Sequence, residues 1–416
     1  MKEKVFFKTF GCRTNIYDTE LLKTYIKDYE ITNDENMAQI IVVNSCTVTN
    51  GADSGIKSYI NTMQKKGIKI ILTGCGAQSK GKELLNNKQV FGVFGASNKH
   101  KINDFLGLQT NFYEPGDLNF IDKDIVYEYK NHTKAFVKIQ EGCDFACSYC
   151  IIPSVRGKSR SVDESVLLKQ VEILGEKGYS EIVLTGTNIG SYGLKKGTSL
   201  GKLLQKMGKI SSIKRIRLGS LEPAQIDESF LEILNEPWLE RHLHIALQHT
   251  SEKMLRIMRR RSHTSDDLKL FNTIASKGYA LGTDFIVGHP GENEVLWKEA
   301  LEHFKAFPLT HIHAFIFSPR NNTHSATMTN TINGALAKER LNTLKTIVDK
   351  NNYEFRCKNR IPLEILIENK KEDFFEGYDQ FFNKIKLKSD HNIIKKWITL
   401  SEYEVQEKFN FANLKG

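Results

Sequence analysis

The stretch Gly142-Cys143-Asp144-Phe145-Ala146-Cys147-Ser148-Tyr149-Cys150 decides how this chain is read. Its three cysteines are spaced C-x3-C-x2-C, close enough for three thiolates to converge on one metal centre. Soft sulfur donors favour zinc or an iron–sulfur cluster. A closed site of either kind takes four protein ligands, and the next cysteine, Cys357, lies far along the chain. The set is one ligand short, which suits a 4Fe–4S cluster with one iron left for a ligand that is not protein. A zinc knuckle or three buried thiols is the plainer alternative.

The chain around this loop has 416 residues, enough for two or three domains. With 59 Lys and Arg against 49 Asp and Glu it carries a formal charge of +10, which favours a polyanionic partner. Hydrophobic residues make up 40%, enough to build cores. Neither a signal-peptide core nor an apolar run of about 18 residues is present, so the expectation is a cytoplasmic protein with no membrane span. In that compartment seven cysteines suit metal better than disulfides.

The amino-terminal part repeats one pattern three times. Lys4 to Phe10 is a β-prone run ending on Gly11-Cys12-Arg13-Thr14-Asn15. Gln39 to Asn44 reads as a buried parallel strand that delivers Ser45-Cys46-Thr47-Val48-Thr49, and Lys69 to Thr73 as another that delivers Gly74-Cys75. Helices are expected over Tyr17 to Tyr29, capped by Asp18, and over Ile56 to Lys66. The cysteines are 34 and 29 residues apart, about one βα unit each. Three thiols at strand ends can meet above the carboxyl edge of one sheet, where open α/β folds place their sites. A second iron–sulfur cluster follows as the sharper reading; three small buried hydrophobes is the bland one.

Phe10-Gly11-Cys12-Arg13-Thr14-Asn15, Asn44-Ser45-Cys46-Thr47-Val48-Thr49, Leu72-Thr73-Gly74-Cys75 and the Cys143 loop together resemble the methylthiotransferases, a family of radical S-adenosylmethionine (SAM) enzymes. The likeness covers nearly the whole chain. It implies two 4Fe–4S clusters, one on Cys12, Cys46 and Cys75 and one on Cys143, Cys147 and Cys150. Within the family the chain looks most like the MtaB branch, which acts on threonylcarbamoyladenosine beside the tRNA anticodon. Arg13-Thr14-Asn15 carries part of that likeness, where the isopentenyladenosine branch typically has Gln-Met-Asn.

Gly107 to His132, with Glu114-Pro115-Gly116-Asp117, reads as a connection. Beyond it strands are expected at Thr133 to Gln140, Glu181 to Leu184, Ile213 to Leu218, His242 to Ile245, Ala280 to Val287 and His311 to Phe317, with a helix over Asp163 to Lys177. Six βα units fit the open partial (βα)6 barrel of radical SAM enzymes. Thr185-Gly186-Thr187-Asn188 resembles the family loop that binds the SAM amino group. Glu222, Gln248 and Ser251 are further candidates for the SAM or substrate pocket, with Asp284 as a polar group of the barrel. Phe145 and Tyr149 could shield the cluster or stack near adenine. Arg156, Lys158 and Arg160 on one loop, and Arg256, Arg259 and Arg260 on one expected helix sector, are candidates for RNA phosphate.

Leu336 to Phe355 reads as a long helix, after which the period changes to short β-prone segments at Pro362 to Glu368, Phe374 to Tyr378, Phe382 to Lys388 and Trp397 to Ser401. This small basic segment resembles the TRAM domain, an RNA-binding β-barrel, with Lys384, Lys386 and Lys388 as candidate RNA contacts. The fold expected is therefore multidomain α/β, divided as an amino-terminal open-sheet domain over 1–106, a linker over 107–132, a radical SAM domain over 133–355 and a TRAM-like domain over 356–416.

The resemblance implies methylthiolation of adenine carbon 2. One SAM methylates a sulfur held at the second cluster, and another gives the radical that abstracts the unreactive hydrogen. Two electrons must enter, so a flavodoxin- or ferredoxin-type external electron donor is implied, and the partner is tRNA bearing threonylcarbamoyladenosine. The alternatives are an isopentenyladenosine tRNA or a ribosomal protein as substrate, a non-catalytic Fe–S RNA-binding protein, or a structural zinc protein.

Overall fold

The computed structural model describes residues 2–47 and 50–414; Val48 and Thr49 of the second cysteine motif lie outside the described residues. The apolar run Ile40–Ser45 is buried along its whole length because it is a central strand with both faces covered. The sheet around it is parallel and six-stranded, in the order Glu30–Ile31, Lys4–Thr9, Ile40–Ser45, Lys69–Gly74, Gly92–Phe94, Phe112–Glu114. Alternate residues feed two cores, Ile41, Val43 and Leu72 on one face and Val5, Val42 and Ile71 on the other. The strands of this sheet unforeseen in the sequence have two or three residues each, too short for a period to show. One of them, Phe112–Glu114, falls in the stretch expected to be only a connection, so the first sheet closes beyond residue 106.

The helix after Cys12 runs over Arg13–Thr24 and starts four residues before the expected Tyr17. Asp18 lies inside it and caps nothing. Its carboxylate is instead buried among cations: Lys138 Nζ at 2.6 Å, Lys99 Nζ at 3.2 Å and Arg156 Nη1 at 2.8 Å. Asp122, from the connecting segment, joins the same network at 2.5 Å from Lys138 and 2.9 Å from Lys99. Charges removed from water need such partners. The network ties the first sheet domain to the next one.

That next unit is an open barrel. Its parallel strands are Ala135–Glu141, Glu181–Gly186, Arg215–Leu218, His242–His244, Ala280–Val287 and Leu309–Ile316, all six where the sequence places them within a few residues. The third and fourth touch through single bridges, Ile216 to Leu239 and Leu221 to Ile245. Among the described residues the first and last strands do not pair, so the barrel stays open. Helices Glu164–Glu176, Leu200–Met207, Thr264–Ser276 and Glu294–Ala306 cover the outside and supply Leu167, Leu203, Phe271 and Phe304 to the core.

Helix Gly334–Lys358 packs on strand Leu309–Ile316 and leads to a second six-stranded sheet. Its order is Trp397–Leu400, Leu363–Lys371, Phe374–Tyr378, Lys384–Lys388, Asn410–Asn413, Glu404–Val405. All pairings are antiparallel except Lys384–Lys388 with Asn410–Asn413. The sheet curls around Ile365, Ile367, Phe375, Phe381, Ile385 and Leu387. Its turn at Asp379–Asn383 docks on the barrel: Arg241 N donates to Gln380 O (2.8 Å) and Arg217 Nη2 to Asp379 O (2.8 Å).

Candidate active site

Cys12, Cys46 and Cys75 each follow a strand of the first sheet. Gly11 adopts φ +100°, and a Cβ there would stand 2.5 Å from Cys46 Cβ and 2.9 Å from its Sγ. The first two cysteine loops thus meet through a glycine that no other residue could replace. Gly74, at φ +83°, turns the third strand directly into the short helix Cys75–Ser79. Burial pushes the Cys75 thiol up to about 11, the Arg156 guanidinium opposes that, and Cys12 and Cys46 add to it. Arg156 Nε donates to Cys75 Sγ at 3.0 Å. Thiols held together as thiolates, two of them buried and Cys12 exposed, are stabilised by a cation between them, and a metal centre supplies it.

The second triad sits on the loop after Ala135–Glu141. Gly142 (φ +77°) backs onto Lys158, whose carbonyl oxygen lies 2.1 Å from where a Cβ would be. Cys143 Sγ accepts from Phe145 N (3.4 Å) and Asn188 Nδ2 (3.6 Å), and Cys147 Sγ from Arg260 Nη1 (3.6 Å). Burial raises the Cys150 thiol to about 12, with Cys147 and Cys143 adding to the rise. N–H donors aimed at sulfur, and half-buried thiols close enough to repel, fit a cluster-bound set of three. Both triads therefore fit the iron–sulfur groups that the sequence motifs imply.

A cavity of about 850 Å³ joins the three units. Cys12, Arg13 and Thr14 line it from the first sheet domain, Thr185, Gly186 and Thr187 from the barrel, and Tyr378 and Phe382 from the last domain. Thr14 Oγ1 lies 3.0 Å from Thr185 Oγ1, and Thr187 Oγ1 accepts from Gly142 N at 3.2 Å. The Thr185–Asn188 loop is thus a shared wall, with the Cys12 loop on one side and the Cys143 loop on the other. His244 and His313 also line the cavity, and His244 Nε2 lies 3.1 Å and His313 Nδ1 3.5 Å from Asp284 Oδ1. Burial works against the Asp284 carboxylate, but the two imidazoles outweigh it and hold it below its ordinary range. The ligand atoms of these three residues lie within 4.8 Å of one another, close enough to hold a metal ion.

The remaining expectations divide. Arg156 was expected at RNA, but it is 4% exposed and spent on Cys75, Asp18, Glu141 and Asn15. Arg260 was expected to share an exposed helix sector with Arg256 and Arg259. The helix stops at Ile257, however, and Arg259 turns the chain at φ +55°, which sends Arg260 inward to a two-pronged pair with Glu222 (3.0 and 2.5 Å). Arg160 donates to the carbonyls of Phe120, Lys158 and Arg156, so its guanidinium clips the loop. Lys158, Arg256, Arg259 and Lys388 are exposed. Lys384 pairs with Glu376 at 2.8 Å, and Lys386 Nζ lies 4.6 Å from the Phe409 ring centre.

Ser251 does not reach the cavity: it caps the helix Glu252–Ile257 by accepting from Met254 N and donates to Glu299. Gln248 takes φ +66° where it bridges to Phe285, and its backbone N–H donates to Asp284 O at 2.9 Å. Tyr149 is half-buried and edge-on to His289 at 6.2 Å, and Phe145 lies under the Arg261 guanidinium at 4.6 Å. Sequence reasoning missed the buried network of Asp18, Lys99, Asp122, Lys138 and Glu141, whose members are scattered along the chain. It also missed His244 and His313, although His242-Leu243-His244 and His311-Ile312-His313 carry the two-residue period that puts each pair on one face of a strand.

Comparison with known proteins bears on the same residues. Residues 4–95 match the family described as Uncharacterized protein family UPF0004, and residues 137–304 match the Radical SAM superfamily. A Helicobacter pylori protein named putative methylthiotransferase is 48% identical over 415 residues, covering 99% of each chain. The Aquifex aeolicus threonylcarbamoyladenosine tRNA methylthiotransferase MtaB is 35% identical over 86% of this chain and 90% of its own. A Fervidobacterium nodosum tRNA-2-methylthio-N(6)-dimethylallyladenosine synthase is 34% identical over 77% of each. With Cys12 on the cavity wall, the Cys143 loop bonded to the Thr187 side of it, and identity of this extent, the chain belongs to the methylthiotransferase family of radical SAM enzymes.

Proposed function

We propose that this enzyme methylthiolates carbon 2 of threonylcarbamoyladenosine next to the anticodon of tRNA. The reading is carried by one observation: Cys12 and Arg13 line the same cavity as the Thr185–Thr187 loop, which is bonded to the Cys143 loop. The likeness to the Aquifex aeolicus relative supports the choice of base. When bound, a cluster on Cys143, Cys147 and Cys150 with SAM supplies a 5′-deoxyadenosyl radical, and a cluster on Cys12, Cys46 and Cys75 supplies the sulfur.

The chain's own residues do the rest. Asn188 and Arg260 direct N–H groups at Cys143 and Cys147, and Arg156 does so at Cys75. Such donors stabilise charge on sulfur and fix the loops. Thr185 to Asn188 hold SAM against the Cys143 loop, and Glu222, locked by Arg260, borders that pocket. Tyr378 and Phe382, stacked at 4.8 Å, give a planar group an aromatic face. Lys158, Arg256, Arg259 and Lys388 are the exposed cations that meet tRNA phosphate, and residues 356–416 act as a TRAM-like RNA-binding domain. The division into 1–106, 107–132, 133–355 and 356–416 is kept on this reading, with Phe112–Glu114 assigned to the first sheet. A flavodoxin- or ferredoxin-type protein delivers the electrons in the cytoplasm; among the described residues no helix is long and apolar enough to cross a membrane.

The test is anaerobic reconstitution with iron and sulfide, followed by reductant, SAM and two tRNAs, one with threonylcarbamoyladenosine and one with isopentenyladenosine. Mass spectrometry of the nucleosides should show the 2-methylthio product from the first. Product from the second alone replaces the substrate in this reading.

A further inference from the structure

We propose that Arg13 binds the carboxylate of the acyl group on the substrate base and so selects an acidic modified adenine over one with an apolar substituent. The inference rests on threonylcarbamoyladenosine being the substrate, since that base carries a free carboxylate on its threonyl arm.

Arg13 opens the helix directly after Cys12, so its place on the cavity wall is tied to the first triad. Its Nη1 donates to Leu218 O across a long 3.3 Å, and the guanidinium carbon stands 5.8 Å over the Phe382 ring. A guanidinium has five N–H donors, and among the described residues Leu218 O is the only hydrogen-bond acceptor that Arg13 has. No carboxylate lies within ion-pair distance of it among those residues, although it is half-buried.

The nearby acids are already taken. Glu240 holds Leu218 N at 2.5 Å and Arg217 Nη1 at 3.0 Å, and Glu181 holds Arg217 Nε at 2.9 Å and Arg215 Nε at 2.6 Å. Arg217 completes its own set on Asp379 O at 2.8 Å. Of this group of guanidiniums, Arg13 is left with donors facing open space. A half-buried cation without a partner is a ready site for a ligand anion, and a carboxylate fits the guanidinium fork with two parallel bonds.

The surroundings are built for a ligand of that shape. Phe382 is held at φ +63°, a conformation that side chains other than glycine rarely take. Asp379 enforces it by accepting from Phe381 N at 2.9 Å and Asn383 N at 2.8 Å. The ring so placed lies under Arg13 and against Tyr378 and His242. Strain kept at a cavity wall by a dedicated support marks a position used for binding. An adenine with its acyl arm fits within about 850 Å³.

The test compares two anticodon stem-loop RNAs, one with threonylcarbamoyladenosine and one with its carboxamide, in which the charge is gone and the shape kept. Wild type should favour the acid about tenfold or more in kcat/KM, mostly through KM, and R13Q should abolish that preference. R13K should keep part of it, because charge remains but the fork is lost. Iron content and visible absorbance are measured on each variant. An unchanged acid-to-amide ratio in R13Q overturns the proposal, as does an equal loss on both RNAs, or iron loss in both R13Q and R13K, which would make Arg13 a support for the Cys12 loop. Wild type that leaves the acid RNA untouched overturns the substrate reading, and this proposal with it; wild type that modifies it while R13Q keeps the ratio overturns this proposal alone.

Discussion

Arg156 is the side chain whose removal should reveal how the two cysteine triads are coupled. It ends the short helix Ile152–Arg156 after Cys150, yet it bonds to Cys75, Asn15 and Asp18 of the first sheet domain and to Glu141 of the barrel. Stripping one member from a buried charge pair usually costs about 3–5 kcal/mol, because the partner is left uncompensated. Here Lys138 still reaches Asp18 at 2.6 Å and Glu141 at 3.3 Å, and Lys99 reaches Asp18 at 3.2 Å, which places R156M at the lower end, about 3 kcal/mol. With a urea slope of about 2 kcal/mol per molar, the first unfolding midpoint of the metal-free protein should fall by about 1.5 M. D18N removes one of the stranded carboxylates, so D18N/R156M should recover at least about 1 kcal/mol against the sum of the single changes. Circular dichroism through a urea series reads both. A loss in R156M below about 1 kcal/mol, or additive single changes, would refute the view that this buried network locks the first sheet domain to the barrel.

Other expectations follow from single residues. Gly11→Ala puts a Cβ onto Cys46, so reconstituted G11A should hold about four of the roughly eight irons expected for two clusters and keep SAM cleavage; full iron would contradict the geometry. C147A should lose the other half of the iron and release no 5′-deoxyadenosine. Asp267 is driven up to about 7, first by burial and against the pull of Arg260. Because its folded value lies above its unfolded value near 3.8, wild type loses stability as pH rises from about 4 to 7. The melting temperature of D267N should therefore exceed that of wild type by a margin that widens over that window and is flat above it; a constant margin would mean that Asp267 does not titrate there. Arg260→Ala strands Glu222 beside the Cys147 loop, and the accompanying E222Q change should restore part of the lost thermal stability.

The strand-end cysteines were legible because the chemistry repeats with the βα period: Cys12, Cys46 and Cys75 each follow an apolar run, and the Cys143 loop is local in sequence. The six barrel strands were legible from the alternation of strand and helix segments along the chain, even though Arg215–Leu218 and His242–His244 carry arginines and histidines within them. Basic side chains were not. Arg156 and Lys158 look alike on the sequence, but one fills a buried acidic cage and the other is exposed, and the acids that make the difference come from Asp18 and Glu141. Arg260 was misplaced for a local reason, the left-handed turn at Arg259, since the helix expected to carry Arg256, Arg259 and Arg260 together ends at Ile257. Asp18 had the look of a cap and is a buried counter-ion, since three cations brought in by tertiary contacts outbid one helix end.

The central claim is that both triads serve one reaction, and the C12A variant tests it most directly. Reconstituted C12A and wild type are given SAM, reductant and threonylcarbamoyladenosine tRNA, and 5′-deoxyadenosine and 2-methylthio nucleoside are quantified together. The account predicts both products from wild type and 5′-deoxyadenosine without methylthio nucleoside from C12A. Methylthio product from C12A at the wild-type level, or its absence from wild type with a full complement of iron, would contradict it.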